Sequence, residues 1–477
     1  MLRRTKIIAT LGPATDDDPA IEKLIRAGMD LVRINFSHGH LSDHQRRVNA
    51  IRKYATALGR QIGILADLQG PKIRIARFKN DHVTLAAGDR FILDASLPVS
   101  AGTREAVGVD YKELSTDVGP GDTLLLDDGR IELEVDRIDG LQIICTVKDG
   151  GELSNNKGIN RRGGGLSAGA LTSKDREDLR AAAAMQVDYI AISFVRSAAD
   201  INDARRLLTE LNGTAGIIAK IERADAVAAI DDIIRESDGV MIARGDLGVE
   251  IGDAEVPAIQ KRIIERARSL DKPVITATQM MESMIQSAVP TRAEVSDVAN
   301  AVIDGTDAVM LSGETAVGRH PEKVVIAAER VCLAAERQPS TRISGHRVDR
   351  RFQRVDEAIS MSAMYAANHL DIKAIVALTE SGSTPLWMSR IRTAIPIFGL
   401  SRHPASLGKM TLYCNVYPLF FDVTLHPRDE IKRQAIGVLE RRGFLNTGDM
   451  AIITKGDQDG YNGMTNAMKI VEVGQVV

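Results

Sequence analysis

Two carboxylates and three cations in this chain have the chemistry of a charge clamp. Glu222 and Asp246 are hard oxygen ligands, suited to a Mg²⁺ or Mn²⁺ ion that keeps some waters and takes substrate oxygens. No His or Cys stands near them that would suit zinc. Arg33, Arg74 and Lys220 add the cations. A mixed metal and cation clamp is what a migrating phosphoryl group needs, because its charge sits on equatorial oxygens. The amides of Gly245 and Asp246 are read as preceding a loop, where they can hold a carboxylate. There is neither a Walker loop nor a kinase glycine loop, so phosphoryl transfer would have to use this clamp. These residues point to metal-dependent chemistry on a phosphorylated or carboxylated small molecule.

The elements that must position these residues are short apolar runs. Strands are expected at Lys6–Thr10, Leu31–Phe36, Ile62–Asp67, Tyr189–Phe194, Gly216–Ile221, Val240–Ala243, Val274–Thr278 and Ala308–Leu311. Their Ile and Val content is that of buried parallel strands. Amphipathic segments such as Ala20–Ala27 and Val256–Ser269 lie between them. Eight such units in series predict a (β/α)₈ barrel, with chemistry at the C-terminal strand ends. Those ends are polar: Arg33, Asn35, Ser37 and His38; Asp67, Gln69, Lys72 and Arg74; Lys220 and Glu222; Arg244, Gly245 and Asp246; Thr276, Thr278 and Gln279; Ser312, Gly313 and Glu314. Taken singly, Arg244 and Gln279 read as structural, Ser312 as a helix cap, His38 as a loop hydrogen-bonder and Gly245 as a turn residue. Taken together, charges gathered at one rim are costly unless used.

One interval breaks the rhythm. More than a hundred residues separate Ile62 from Tyr189. Short strands are expected there at His82–Leu85, Arg90–Leu93, Thr123–Leu126, Ile131–Val135 and Gln142–Val147, with Asp-Gly turns. Residues 71–167 are therefore read as a small β-barrel lid, inserted between the barrel segments 1–70 and 168–338 and hanging over the C-terminal face. A turn-rich linker at Gln338–His346 leads to an open α/β domain over 346–477. Its elements are a helix at Val355–His369 and strands at Ala374–Leu378, Ile395–Gly399, Tyr417–Phe421, Met450–Thr454 and Ile470–Val473.

Composition narrows the class. The 477 residues suggest about three domains. Lys and Arg total 61 against 64 Asp and Glu, net −3, which argues against a nucleic-acid or membrane binder working by bulk charge. Cys145, Cys332 and Cys414 lie far apart, with neither zinc nor disulfide spacing. The apolar run after the basic first residues stops at Gly12-Pro13, too short for a secretory segment. A cytoplasmic protein is expected.

Five motifs then carry a family resemblance. Asn35-Phe36-Ser37-His38-Gly39, the run Asp67 to Arg74, the run Met241 to Gly248, the run Thr276 to Met284, and Met310-Leu311-Ser312-Gly313-Glu314-Thr315 together resemble pyruvate kinase, most of all its bacterial type-II branch. The resemblance covers essentially the whole chain. It implies transfer of the phosphoryl group of phosphoenolpyruvate to ADP, giving pyruvate and ATP. It implies metal ligands at Glu222 and Asp246, and a substrate-phosphate ligand at Arg33. It implies that Lys220 stabilises the transferring group and the enolate. The carboxylate would be held by Gly245, Asp246 and Thr278. The nucleotide would meet Asn35, Ser37, His38, Arg74 and Lys157. Many members hold K⁺ on residues matching Asn35, Ser37, Asp67 and the Leu68 carbonyl, and carry Glu where this chain has Lys72. Lys72 is expected to replace that ion, making K⁺ unnecessary. The loop of Thr379, Ser381, Gly382, Ser383 and Thr384 matches the family's effector-phosphate loop. With Glu380 inside it, a sugar monophosphate or AMP is expected rather than a bisphosphate. The family also implies a homotetramer, through Pro290-Thr291-Arg292-Ala293-Glu294. Two other readings compete: a metal-dependent carbon–carbon lyase on a related barrel, and a catalytically dead binding protein.

Overall fold

A computed structural model of the chain describes residues 2–342, 351–457 and 463–475. Part of the expected linker, Ile343 to His346, lies outside the described residues. The chain opens with β1 (Lys6–Thr10), β2 (Leu31–Asn35) and β3 (Gly63–Asp67). An insert follows with β4 (His82–Leu85), β5 (Arg90–Asp94), β6 (Ala106–Gly108), β7 (Thr123–Leu126), β8 (Ile131–Asp139), β9 (Gln142–Asp149), β10 (Gly151–Ser154) and β11 (Ile159–Arg161). The first pattern resumes in β12 (Tyr189–Ile192), β13 (Gly216–Ile221), β14 (Gly239–Ala243), β15 (Val274–Ala277) and β16 (Ala308–Leu311). The last five strands are β17 (Ile372–Leu378), β18 (Ile397–Ser401), β19 (Val416–Phe420), β20 (Met450–Gly456) and β21 (Thr465–Glu472).

The strands β1, β2, β3 and β12–β16 close into one parallel barrel, in the order β1-β16-β15-β14-β13-β12-β3-β2. Nearly every residue in them is buried, because helices cover the outside and side chains fill the inside. The insert forms a six-stranded sheet, β11-β7-β8-β9-β5-β6, with a β10-β4 ladder beside it. The C-terminal sheet runs β19-β18-β17-β20-β21, with only β21 antiparallel.

Three differences from the sequence reading have simple causes. In the insert, β6, β10 and β11 have only three or four residues each, too short for alternation to register. In the C-terminal sheet, β21 begins at Thr465, not Ile470, because its exposed edge face is polar and hides the period. Third, no loop follows β14. The chain turns at once into the helix Arg244–Ile251.

The lid leaves the barrel at Gly70, which has φ +70. A Cβ there would sit 2.7 Å from the Ser193 Cβ, so only glycine fits. The Gly70 amide donates to Asp175 at 2.9 Å. Asp175 belongs to the capping box of the helix Ser173–Ala184, with Thr172, so one helix start fixes the hinge.

Below the barrel, the C-terminal domain closes the floor. Ile8, Leu65, Ile218 and Met241 inside the barrel share one apolar cluster with Met364, Ile375 and Met410. The junction also carries a fully buried ion pair, Arg390 with Asp307. The Asp307 carboxylate accepts amides from both sides, Val274 and Cys414, each at 3.0 Å. Lys6 donates to the Val416 carbonyl at 2.6 Å and lies over the Tyr417 ring.

Asp188, just before β12, has a poorer environment. Its carboxylate accepts from the Ile64 amide at 2.8 Å, and burial pushes its pKa up to about 7. A buried acid with a raised folded pKa binds its proton more tightly folded than unfolded. It therefore costs stability above pH about 7, and the cost is relieved as pH falls through that value. We expect Asp188→Asn to raise the unfolding midpoint at pH 8–9, with the gain shrinking below pH about 7. Thermal unfolding of both chains across that range checks this.

Candidate active site

The polar strand ends converge on one buried ion network. Lys220, at the end of β13, places its ammonium 2.9 Å from Glu222 and 3.3 Å from Asp67. It also donates to the Ser193 hydroxyl at 2.6 Å, and that hydroxyl donates to the Leu68 carbonyl at 2.7 Å. Arg33, from β2, donates to the other Asp67 oxygen at 2.6 Å and approaches Thr10 at 3.4 Å. These contacts follow from register. Arg33 pairs with Leu65 and Asn35 with Asp67 across β2 and β3, so both strands bring polar ends to one level.

The network sets the charge states. Burial lowers the Lys220 pKa, but Asp67 and Glu222 overcome it and hold it above its ordinary 10.5. Burial raises Asp67, but Lys220 and Arg33 hold it below the ordinary carboxylate range. Glu222 is raised, by burial and by the nearby Asp246 charge, against the pull of Lys220. Its second oxygen accepts from the Phe194 amide at 2.7 Å. A carboxylate whose ionisation a neighbouring carboxylate disfavours is a fit for a divalent cation beside it. Glu222 and Asp246 could therefore hold Mg²⁺ or Mn²⁺. No group of three or more His, Cys, Asp or Glu residues forms a ready metal site among the described residues.

Strained backbone lines the same rim. Phe194, Thr278 and Gln279 have φ of 54, 66 and 55, each costing roughly 1–3 kcal/mol and persisting only where neighbours enforce it. Arg244 is the enforcer at β15. Its guanidinium donates to the Ala277 and Thr278 carbonyls at 3.0 and 2.6 Å and to Asp297 at 2.7 Å. The structural reading of Arg244 holds, therefore, and Arg244 acts on the site through Thr278. The Thr278 hydroxyl accepts from the Gly245 amide at 3.0 Å and donates to Ala277. Ser312 precedes the helix Gly313–Ala316 but makes no side-chain cap. Glu314 instead accepts from the Ser312 and Met281 amides at 2.6 and 3.0 Å, tying the last two rim loops together.

The lid residues stand apart from the network. Arg74 donates to the Asn156 carbonyl at 2.9 Å, and Lys157 pairs with Asp127 at 2.7 Å. Asn35 accepts from the Ser37 amide at 3.1 Å, which shapes the turn carrying His38. Lys72 was expected beside Asp67. It reaches Asp246 instead, at 3.0 Å, with Asp128 of the lid 4.0 Å away. The Asp67 oxygens are already taken by Arg33 and Lys220. Between lid and barrel lies a cavity of about 770 Å³, with Lys72, Asp128, Arg162, Gly245 and Asp246 on its walls. Sequence reasoning missed Ser193 and Thr10. Thr10 closes β1, and Ser193 lies just beyond β12, which ends at Ile192 rather than Phe194, so the expected strand hid Ser193 in its interior.

Comparison with known proteins decides the family. Residues 2–325 match the family model described as pyruvate kinase, barrel domain, and residues 357–471 the pyruvate kinase alpha/beta domain. The chain belongs to the pyruvate kinase family. It is similar to "Pyruvate kinase II" of Salmonella typhimurium, 54% identical over 99% of both chains. It is similar to the pyruvate kinase of Haemophilus influenzae, 54% identical over 96% of each. A crystal structure of a pyruvate kinase from Cryptosporidium parvum matches with TM-score 0.92 at 34% identity, covering 99% of this chain and 96% of that one. The type-II bacterial resemblance read from the motifs agrees with these matches.

Within this kinase rim, Arg244 is testable apart from turnover. Arg244→Lys keeps the charge but cannot bond three acceptors in one plane. We expect a loss of about 1.5–3 kcal/mol of stability, read by denaturant unfolding, because the strained Thr278 and Gln279 lose their clamp.

Proposed function

We propose that this chain transfers the phosphoryl group of phosphoenolpyruvate to ADP, giving pyruvate and ATP, as the closing step of glycolysis. The observation that carries this is the Lys220 ammonium, fixed by Asp67, Glu222 and Ser193 at a rim that also presents Arg33, Thr278 and Asp246. Phosphoryl transfer needs positioning and charge neutralisation more than covalent help. Arg33 binds the substrate phosphate. The bond between the Gly245 amide and Thr278 is the one a substrate carboxylate would replace, with the Asp246 amide beside it. Glu222 and Asp246 would hold Mg²⁺ or Mn²⁺, which supplies positive charge to the phosphoryl and pyruvate oxygens. Asn35, Ser37, His38, Arg74 and Lys157 face the nucleotide, the last two from the lid. Lys220 stabilises developing charge rather than giving up a proton. Thr278 and Ser312, acting through water, are the candidates for delivering the proton to the enolate. ATP formation from phosphoenolpyruvate and ADP with Mg²⁺, followed by a coupled assay, tests the reading. A carbon–carbon lyase or a dead binding protein would give none.

Removing Lys220 isolates its contribution. Lys220→Met is expected to lose about 10²–10³ in turnover with little change in substrate affinity, because Arg33 and the metal ligands remain. Near-normal turnover would remove Lys220 from the mechanism.

The same reading makes K⁺ unnecessary. The Lys72 ammonium already sits on a site carboxylate, Asp246, and would repel a cation bound by Asn35, Ser37, Asp67 and the Leu68 carbonyl. Turnover in tetramethylammonium buffer is expected not to rise on adding K⁺, whereas Lys72→Glu should create K⁺ dependence. An unmodified enzyme that is silent without K⁺ and recovers with it would overturn this.

Regulation is proposed at Thr379, Ser381, Gly382, Ser383 and Thr384, by a sugar monophosphate or AMP. Glu380 supports that choice. It bonds His403 and lies 3.4 Å from Arg402, so that guanidinium already has an anion and a second phosphate would meet a carboxylate. Ser381→Asp should abolish activation by glucose 6-phosphate, and fructose 1,6-bisphosphate should activate the unmodified chain weakly. Strong activation at micromolar bisphosphate would refute the charge argument. A homotetramer joined through Pro290–Glu294 is part of the same proposal. So is a cytoplasmic setting, supported by three unpaired thiols.

A further inference from the structure

Glu250 is a buried acid outside the charge network of Lys220. It lies one helical turn beyond Asp246 in the helix Arg244–Ile251, so the two carboxylates share a face of that helix. Only 2% of Glu250 is exposed. One of its carboxylate oxygens accepts from the Ala224 amide at 2.9 Å, and Ala224 is two residues past Glu222. The other oxygen lies 3.9 Å from the guanidinium of Arg223, which is also buried. One side chain therefore spans the two segments that carry Glu222 and Asp246.

Glu250 also meets the lid. The Asn160 side chain, in lid strand β11, donates to the Glu250 carboxylate. The Glu250 carbonyl accepts from the Gly163 amide at 2.9 Å. Beside it, Arg223 donates to the Leu166 carbonyl at 2.7 Å, and Asp225 accepts from the Gly165 amide at 3.2 Å. The chain returning from the lid thus runs through the joint between the two ligand-bearing segments.

Packing alone does not call for a carboxylate at this joint. Burial raises the Glu250 pKa, and the Ala224 amide, Arg223 and Asn160 offset only part of that rise. An apolar pair of similar volume would often hold two segments together as well. What a carboxylate adds is direction, because hydrogen bonds fix angles as well as distances. Mg²⁺ tolerates little departure from octahedral geometry, so two ligands from separate segments need one fixed spacing. We propose that Glu250 is a positioning residue: it holds Glu222 and Asp246 at the spacing one divalent cation needs, and through Asn160 and Gly163 it couples that spacing to the lid. This rests on the assignment of the metal to those two carboxylates.

Mn²⁺ is a suitable probe, because its EPR signal falls on binding. The full chain is titrated without substrate or nucleotide. Asp246→Asn should remove most of the binding, which checks the metal assignment by itself. Glu250→Ala should weaken Mn²⁺ binding about tenfold. Glu250→Gln keeps an acceptor for the Ala224 amide and should recover most of that loss. Asn160→Ala should also weaken binding, and the double variant with Glu250→Ala should bind no worse than Glu250→Ala alone. Leu133→Ala, in the lid core, controls for lost stability: it should lower the urea midpoint and leave Mn²⁺ affinity unchanged. With binding lost in Asp246→Asn, three results would each overturn the proposal and spare the metal assignment: unchanged affinity in Glu250→Ala, equal loss in Glu250→Gln, or equal loss in Leu133→Ala. If Glu250→Ala does not fold, Asn160→Ala decides, and unchanged affinity there overturns the proposal. Normal binding by Asp246→Asn would overturn the metal assignment and the proposal with it.

Discussion

An ammonium can stay charged in the mouth of an apolar barrel only if carboxylates compensate it. Lys220 is the residue on which that constraint falls here. Burial alone would lower its pKa, and Asp67 with Glu222 reverse the effect. Each compensating group then needs its own partner. Asp67 takes Arg33, and Glu222 takes the Phe194 amide. Removing one member leaves a buried charge unpaired, which costs about 3–5 kcal/mol. The network therefore fixes the upper ends of β2, β3, β12 and β13 together.

The rest of the molecule holds this network at its two ends. Above, the lid pivots at Gly70, pinned by Asp175, and sends Lys72 to Asp246. Below, the buried Arg390–Asp307 pair and the shared apolar cluster fasten the C-terminal domain to the barrel floor.

Much of this was legible in the residues. Barrel strands are short, apolar and bounded by polar ends, so all eight could be placed, and the rule that chemistry sits at their C-terminal ends selected Arg33, Asp67, Lys220, Glu222 and Asp246. What stayed hidden was pairing. A sequence shows that Lys72 lies near the lid hinge but not that Asp67 is already occupied, which sends Lys72 to Asp246. It shows Arg244 as an arginine at a strand end but not that it restrains Thr278 and Gln279 in left-handed backbone. Ser193 was hidden inside an expected strand that ends two residues early, although it bonds the ammonium.

The central claim is that an ammonium held at the Lys220 position accelerates the reaction. Chemical rescue tests it most directly. Lys220→Cys can be alkylated with 2-bromoethylamine, which rebuilds an ammonium of nearly the same length, or with iodoacetamide, which adds a neutral amide. Turnover of phosphoenolpyruvate and ADP is then measured for both products. The account predicts that the ammonium restores most of the lost turnover and the amide almost none. Equal recovery with the two reagents, or none with the ammonium, would contradict it.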